Sequence, residues 1–510
     1  MVKAVAFDLS GNQIAAASRQ NRYVTGSNGA ATQSMEQTWA DCAETLQELA
    51  NQVEGLAART AAIGVTGQGD GTWLVGDDDL PVDDAWLWLD ARAAPTVEQL
   101  RAAPGERARF ESTGTGLAAC QQGAQIAHMA ASEPGLLSHA EVALHCKDWL
   151  YLNLTGVRAT DPSEASFSYG NFRTRQYDEA VIAALGLTEQ AGLLPPILDG
   201  TEQTHALSSE AATATGLLTG TPVSLGFVDM ACTALGAGVH TGDTSAACSI
   251  VGSTGVHMRS TPASDIELNS EGCGYIIPLP LPNRVAQTQS NMAASLNIDW
   301  ALQLARDLLN EMDQQITQAE LTRRIDGWMA SSQPGALIYH PYISTAGERG
   351  PFVNVHARAS IIGLNSGHRF PDLMRAVIEG LGMATRDCYA AMGSMPEELR
   401  LSGGAGSSPA VRSVLAASIG APTRISTRQE AGAAGAAMIA AVAIGVYSTM
   451  DECISEWVTP LLGELEQPDA TLIDIYERLF PVYRGIRQSL QPAWEQLAPI
   501  TVQNQTSKEI

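Results

Sequence analysis

"TPVSLGFVDMACTALGAG", residues 221–238, is the stretch on which the fold turns. It reads as a strand that breaks at Phe227 to Asp229 and passes into a helix lined by Ala231, Ala234 and Ala237, which ends in glycines. A strand that passes straight into a small-residue helix predicts α/β layering, with the helix pressed against a close neighbour. Asp229 stands at the junction. Its position suits a helix cap and, equally, a general base that takes a proton from a substrate hydroxyl as phosphate arrives.

The same alternation extends in both directions. "AAIGVTGQG" (61–69) is a short buried strand ending in glycines, and "TSAACSIVGSTGVHM" (244–258) is strand, tight turn, strand. "ELRLSGGAGSSPAVRSVLAASIG" (398–420) is strand, glycine loop and helix, with Ser408 as N-cap, Pro409 at the first helical position and Gly420 just past the end. "FPDLMRAVIEGLGMATRDCYAAM" (370–392) predicts a helix with one apolar face. A chain of 510 residues exceeds a single core. The break falls near residue 240, which gives domains 1–240 and 241–510.

Two turns have the chemistry of an anion site. Gly252-Ser253-Thr254-Gly255 can aim backbone N–H groups and two hydroxyls at one point, and Gly403-Gly404-Ala405-Gly406-Ser407 leaves bare backbone at a helix start. Each alone is commonly just a connection. Their placement directly after strands in the second domain, with Asp229 ending the first, makes the pair more specific.

Bulk properties narrow the partners. A net charge of −25 repels nucleic acid and anionic membranes. Eight scattered cysteines without a CxxC pair read as reduced thiols of a cytoplasmic chain, and nine histidines show no ligand spacing, so no protein-only metal cage is expected. Asp8 interrupts the first apolar run, which is too short for a signal peptide. Residues 431–450, "AGAAGAAMIAAVAIGVYSTM", carry no charge, but Ala and Gly gain little from lipid and no basic anchor flanks them. They predict a close-packed buried helix behind a binding site.

Several segments, in order, resemble the FGGY family of carbohydrate kinases, members of the actin-like ATPase superfamily. The most specific is "ASIIGLNSGHRFPDLMRAVIE" (359–379), and "CKDWLYLNLTG" (146–156), "TDPSEASFS" (160–168), "TAGERGP" (345–351) and "LSGGAGSSP" (401–409) accompany it over essentially the whole chain. The resemblance implies two ribonuclease H-like α/β domains, each a mixed sheet flanked by helices, with a cleft between them. It implies ATP and Mg²⁺, with no metal ligands of the chain's own assigned. It makes Asp229 the catalytic base, and it places Gln68, Asp70, Asp90 and Arg92 around the sugar. Gly252, Ser253 and Thr254 match a phosphate loop that the family more often writes Gly-Thr-Ser; Gly403, Gly404, Gly406 and Ser407 match the adenosine loop. Gln125 and His128 stand where the family commonly has Lys and Trp, positions of helix packing.

Family chains start with a strand and an Asp-Ile-Gly-Thr-Thr type of turn ahead of a segment like Lys3 to Asp8. The resemblance therefore predicts that "KAVAFD" is a second strand, that the first is absent, and that Met1 is a misplaced start. Losing a central strand costs several kcal/mol against a typical total of about 5–15. Likeness in "KAVAFDLSG" and "GQGDG" points to erythritol as acceptor, Asp70 being suited to adjacent hydroxyls or else to a surface pair. L-Xylulose or another pentulose is the alternative, and the resemblance leaves room for a homodimer. Two other classes stay open on the residues alone. One is an ATP-driven actin-like binding protein; the other is a glycan-cleaving enzyme using Asp90 and Asp229.

Overall fold

A computed structural model describes residues 1–26, 28–242 and 246–506. The expected two-domain α/β architecture is found. The chain opens on β1 (Val2–Phe7), paired antiparallel with β2 (Gln13–Arg19). Asp8 makes the turn between them, its Oδ1 accepting the N–H groups of Ser10 and Asn12 at 2.9 Å each. Helix α1 (Met35–Gln52) follows, capped by the Ser34 hydroxyl, which accepts the Gln37 N–H at 3.2 Å.

Strand β3 (Ile63–Val65) leads to the future site, and helices α2 (Cys146–Thr155) and α3 (Pro162–Tyr169) stand behind it. Strands β4 (His205–Ala206) and β5 (Pro222–Leu225) complete a sheet of order β4-β5-β3, in which β5 runs parallel to β3. Helix α4 (Asp229–Ala237) then starts where the sequence places it.

The rear half is built on one mixed sheet. Strands β6 (Ala246–Val251), β7 (Gly255–Pro262), β8 (Tyr275–Pro278) and β9 (Arg284–Asn291) form an antiparallel set. Helices α5 (Ser295–Glu311) and α6 (Phe370–Ala390) lead on to β10 (Glu398–Ser402). Helix α7 (Pro409–Ile419) connects it to β11 (Thr423–Ile425), giving the order β8-β9-β7-β6-β10-β11 with β6, β10 and β11 parallel.

Two helical expectations need comment. Helix α8 (Ala431–Ala443) has 13 residues, and no helix among the described residues is long and apolar enough to cross a membrane. Its small residues serve close approach: a Cβ on Gly435 would sit 2.1 Å from the Cys232 carbonyl oxygen, and one on Gly64 would sit 2.2 Å from that of Ala436. Helix α6 has the expected apolar face, and its polar side is buried as well: every residue from Met374 to Tyr389 is buried, with the C-terminal helix covering part of the second side. That cover is partly polar: Tyr476 Oη donates to Glu379 at 2.9 Å and Arg487 pairs with Asp387 at 3.1 Å.

The front sheet is in two pieces. The β1–β2 pair shares no ladder with β4-β5-β3, and between β1 and β3 lies a cavity of about 1040 Å³. Helix α8 and the Leu46 and Leu49 side chains of α1 wall it, and Gln68 and Asp229 are among its lining residues.

Candidate active site

Asp229 is the first residue of α4, and its own N–H donates to the Gly67 carbonyl at 3.1 Å. The helix cap position belongs to Val228, which makes no side-chain cap, so the carboxylate is free of that task. Burial pushes its carboxyl up from 3.8 to about 6, against the N–H groups of Met230 and Gly69, while the nearby Asp70 charge adds to the rise. A carboxylate with this pKa is ionised above pH about 6 and accepts a proton readily near neutrality. As pH falls through that value it fills with its own proton and ceases to be a base. Log kcat/KM is therefore expected to drop with unit slope below pH about 6 and to level off above it; a profile flat through about pH 5 would assign the proton transfer elsewhere.

Gln68 lines the same cavity as Asp229 and reaches Gln33 at 3.4 Å. Asp70 is buried, 8% exposed, which removes the surface-pair reading. It holds a left-handed backbone, φ 58°, a conformation that Asp tolerates and that recurs at functional sites. Its Oδ2 receives the Cys120 S–H at 3.3 Å, and its Oδ1 has no partner. Asp90 and Arg92 satisfy each other: Arg92 Nη2 lies 2.7 Å from Asp90 Oδ2, which also accepts the Ala31 N–H at 2.8 Å. The Arg92 guanidinium covers the Trp86 ring at 3.3 Å. Neither residue lines the cavity that holds Asp229; Trp88 and Leu89, large and exposed, do.

A buried charged brace behind these residues escapes sequence reasoning. Lys147 pairs with Asp148 and, at 2.7 Å, with Asp161; His145 lies 3.2 Å from Asp148 and 3.4 Å from Glu164. Asp161 caps α3, and the Ser163 hydroxyl beside it accepts the Val228 N–H at 3.0 Å. A Cβ on Gly69 would meet Val228 Cγ2 at 2.5 Å and Glu164 at 3.3 Å, so the brace abuts both the 67–70 turn and the start of α4. The adjacent Lys147-Asp148 within an otherwise apolar helix is the signal that marks it. Gln125 and His128 serve packing, through Thr72 at 2.7 Å and Thr96 at 2.9 Å respectively.

In the rear half, β6 and β10 are parallel neighbours with Ile250 opposite Ser402. Their carboxyl ends therefore lie together, the usual place for a ligand in such sheets. Gly252, Ser253 and Thr254 follow β6, and Gly403, Gly404 and Gly406 follow β10. Gly403, at φ 90°, is pressed against β6: a Cβ there would lie 2.8 Å from the Val251 carbonyl oxygen. The Ser253 and Thr254 side chains are exposed, and the Ser407 side chain lies outside the described residues. Ala294 and Ser295, missed from sequence, buttress the first turn by donating to Ser253 and Gly252 carbonyls at 2.7 and 2.9 Å. Neither glycine turn lines the cavity at Asp229.

One α/β half carries a raised-pKa aspartate at the start of α4, and the other brings two glycine turns together behind parallel strands. Residues 1–236 match the N-terminal domain of the FGGY family of carbohydrate kinases and residues 246–444 match its C-terminal domain; the chain belongs to this family. It is a kinase that uses ATP on a small sugar or polyol. Its relatives include "Erythritol kinase" of Brucella abortus, 64% identical over 98% of this chain and 96% of that protein. "Xylulose kinase" of Staphylococcus epidermidis is 26% identical, covering 98% of this chain and 97% of its own length. Among solved structures, gluconate kinase from Lactobacillus acidophilus superposes with a TM-score of 0.87 at 21% identity, each chain covered to 97%.

Proposed function

We propose that the acceptor is erythritol and that Asp229 is the base that deprotonates the attacking hydroxyl. The observation that carries the acceptor is the 64% identity to an erythritol kinase across nearly the full length of both chains. Relatives named for pentuloses stand far lower, at 22–27%. The unpartnered Asp70 oxygen supports the same choice, since a carboxylate accepts from adjacent hydroxyls and a polyol offers one at every carbon.

In this reading Gln68, Asp70 and the Asp90–Arg92 pair shape the acceptor side, and the turns at 252–254 and 403–407 hold the nucleotide. Asp229 orients the hydroxyl and accepts its proton as the γ-phosphoryl group is transferred in line. No group of three or more His, Cys, Asp or Glu among the described residues is arranged to hold a metal. Mg²⁺ would be carried on the nucleotide's phosphates, where it neutralises their charge. Eight free cysteines support a reducing, cytoplasmic setting. A homodimer belongs to the same reading, tested by its mass in solution.

Acceptor-dependent ADP release, measured with erythritol, glycerol, xylitol and the D- and L-xyluloses, tests the assignment. A sharp response to erythritol is expected. Preference for a pentulose overturns the acceptor, and ATP consumption indifferent to every acceptor overturns the base assignment to a sugar hydroxyl.

A further inference from the structure

The loop from 344 to 351 of the rear half reaches the acceptor side, and its most consequential residue is Arg349. Arg349 Nε is buried without a partner, and the guanidinium makes no hydrogen bond or ion pair among the described residues. An Nε–H sealed from water without an acceptor is costly, so its partner is to be sought in a ligand. The matching vacancy is in the front half: Asp70 Oδ1 is likewise buried and unpartnered. The two groups are within electrostatic reach. Burial pushes the Asp70 carboxyl above its ordinary range and the Arg349 charge pulls against that, while Asp70 in turn helps hold Arg349 in its charged form.

The loop is built to keep Arg349 in place. Glu348 Oε1 accepts the N–H groups of Met292 at 2.9 Å and of Arg349 itself at 3.0 Å. Asn291 donates to the Gly350 carbonyl at 2.9 Å, and Cys273 to that of Pro351 at 3.1 Å. The front half docks beside this point, Gly116 N–H donating to the Gly274 carbonyl at 2.9 Å. Met292 lies just ahead of the Ala294 and Ser295 buttress of the 252–254 turn. One anchor, Glu348, therefore ties the acceptor side to the nucleotide side.

We propose that Arg349 is a specificity-determining contact for the acceptor, which it grips together with Asp70 at the hydroxyl end remote from phosphoryl transfer. A hydroxyl there donates to Asp70 Oδ1 and accepts from Arg349 Nε–H, satisfying both orphaned atoms and joining the two halves across the substrate. A chain one carbon shorter reaches this clamp less well. The inference rests on the polyol reading above and deepens it.

The test is steady-state kinetics of the full chain with Arg349→Met, Arg349→Lys and Asp70→Asn, each with erythritol and with glycerol. Arg349→Met is expected to raise KM for erythritol about 10–100-fold, with KM for glycerol and for ATP within about threefold and kcat little changed. Arg349→Lys should recover part of the loss, and Asp70→Asn, which removes the facing carboxylate charge, should raise the erythritol KM by a similar factor where the methionine variant folds poorly. An unchanged erythritol KM, equal losses on both polyols, or a loss confined to ATP overturns the clamp. If the wild type turns over a different acceptor, the erythritol assignment fails, and the same comparison of that acceptor with its one-carbon-shorter analogue decides the clamp separately.

Discussion

Asn in place of Asp229 is expected to lower kcat by about 10²–10⁴ while leaving the acceptor KM within about threefold. Asparagine keeps the shape of the side chain and still offers an oxygen to the N–H groups of Met230 and Gly69 that face the native carboxylate. It cannot take a proton. The loss should therefore fall on the transition state and spare ground-state binding. The variant should also lose the limb near pH 6, since the group whose pKa burial raises to about 6 is gone. Thermal stability separates this role from a structural one. Asp229 caps no helix, Val228 occupying that position, so the melting temperature is expected to hold. A variant with nearly normal kcat and a lowered melting temperature would make Asp229 a brace.

The strand-to-helix junction at 221–238 and the helix boundaries at Ser408, Pro409 and Gly420 were legible because local chemistry decides them: alternation, a cap, a proline at the first turn and a left-handed glycine at φ 75°. The side-by-side placement of the 252–254 and 403–406 turns was not. It depends on β6 and β10 being parallel neighbours, a pairing between residues about 150 apart that no local pattern encodes. Asp90 and Arg92 carried a sugar-binding expectation from the family likeness, and the structure ties them to each other and to Trp86. The Lys147-Asp148 pair in an apolar helix marks a buried charge, but its partner Asp161 stayed hidden because the pairing depends on how α2 and α3 pack together. Arg349 was hidden for the opposite reason: its meaning lies in having no partner.

The largest stability effect is expected at the gap in the front sheet. Both β1 and β3 present an unpaired edge to the cavity, and the walls are apolar. A strand residue within a packed sheet takes about 3.3 Å along the chain, about 4.8 Å across and about 10 Å through the layer, or roughly 160 Å³. The space of about 1040 Å³ is thus ample for one extended strand of six residues, the length of β1 itself. One added strand can therefore pair with the open edges of both β1 and β3. A six-residue apolar strand fused ahead of Val2 through an Asn-Gly turn is expected to raise the melting temperature by about 10 °C, several kcal/mol of burial and backbone pairing. Hydrogen exchange should show new protection at Val2–Phe7 and Ile63–Val65. The same extension with prolines at alternate positions, unable to complete either ladder, should do neither. An apolar extension that leaves both the melting temperature and the exchange of those two strands unchanged would mean that the gap is not a strand site. A gain in kcat accompanying the gain in stability would place the new turn at the Asp229 end of the gap, where the base takes the proton of the acceptor's hydroxyl as its oxygen attacks the γ-phosphorus and ADP leaves.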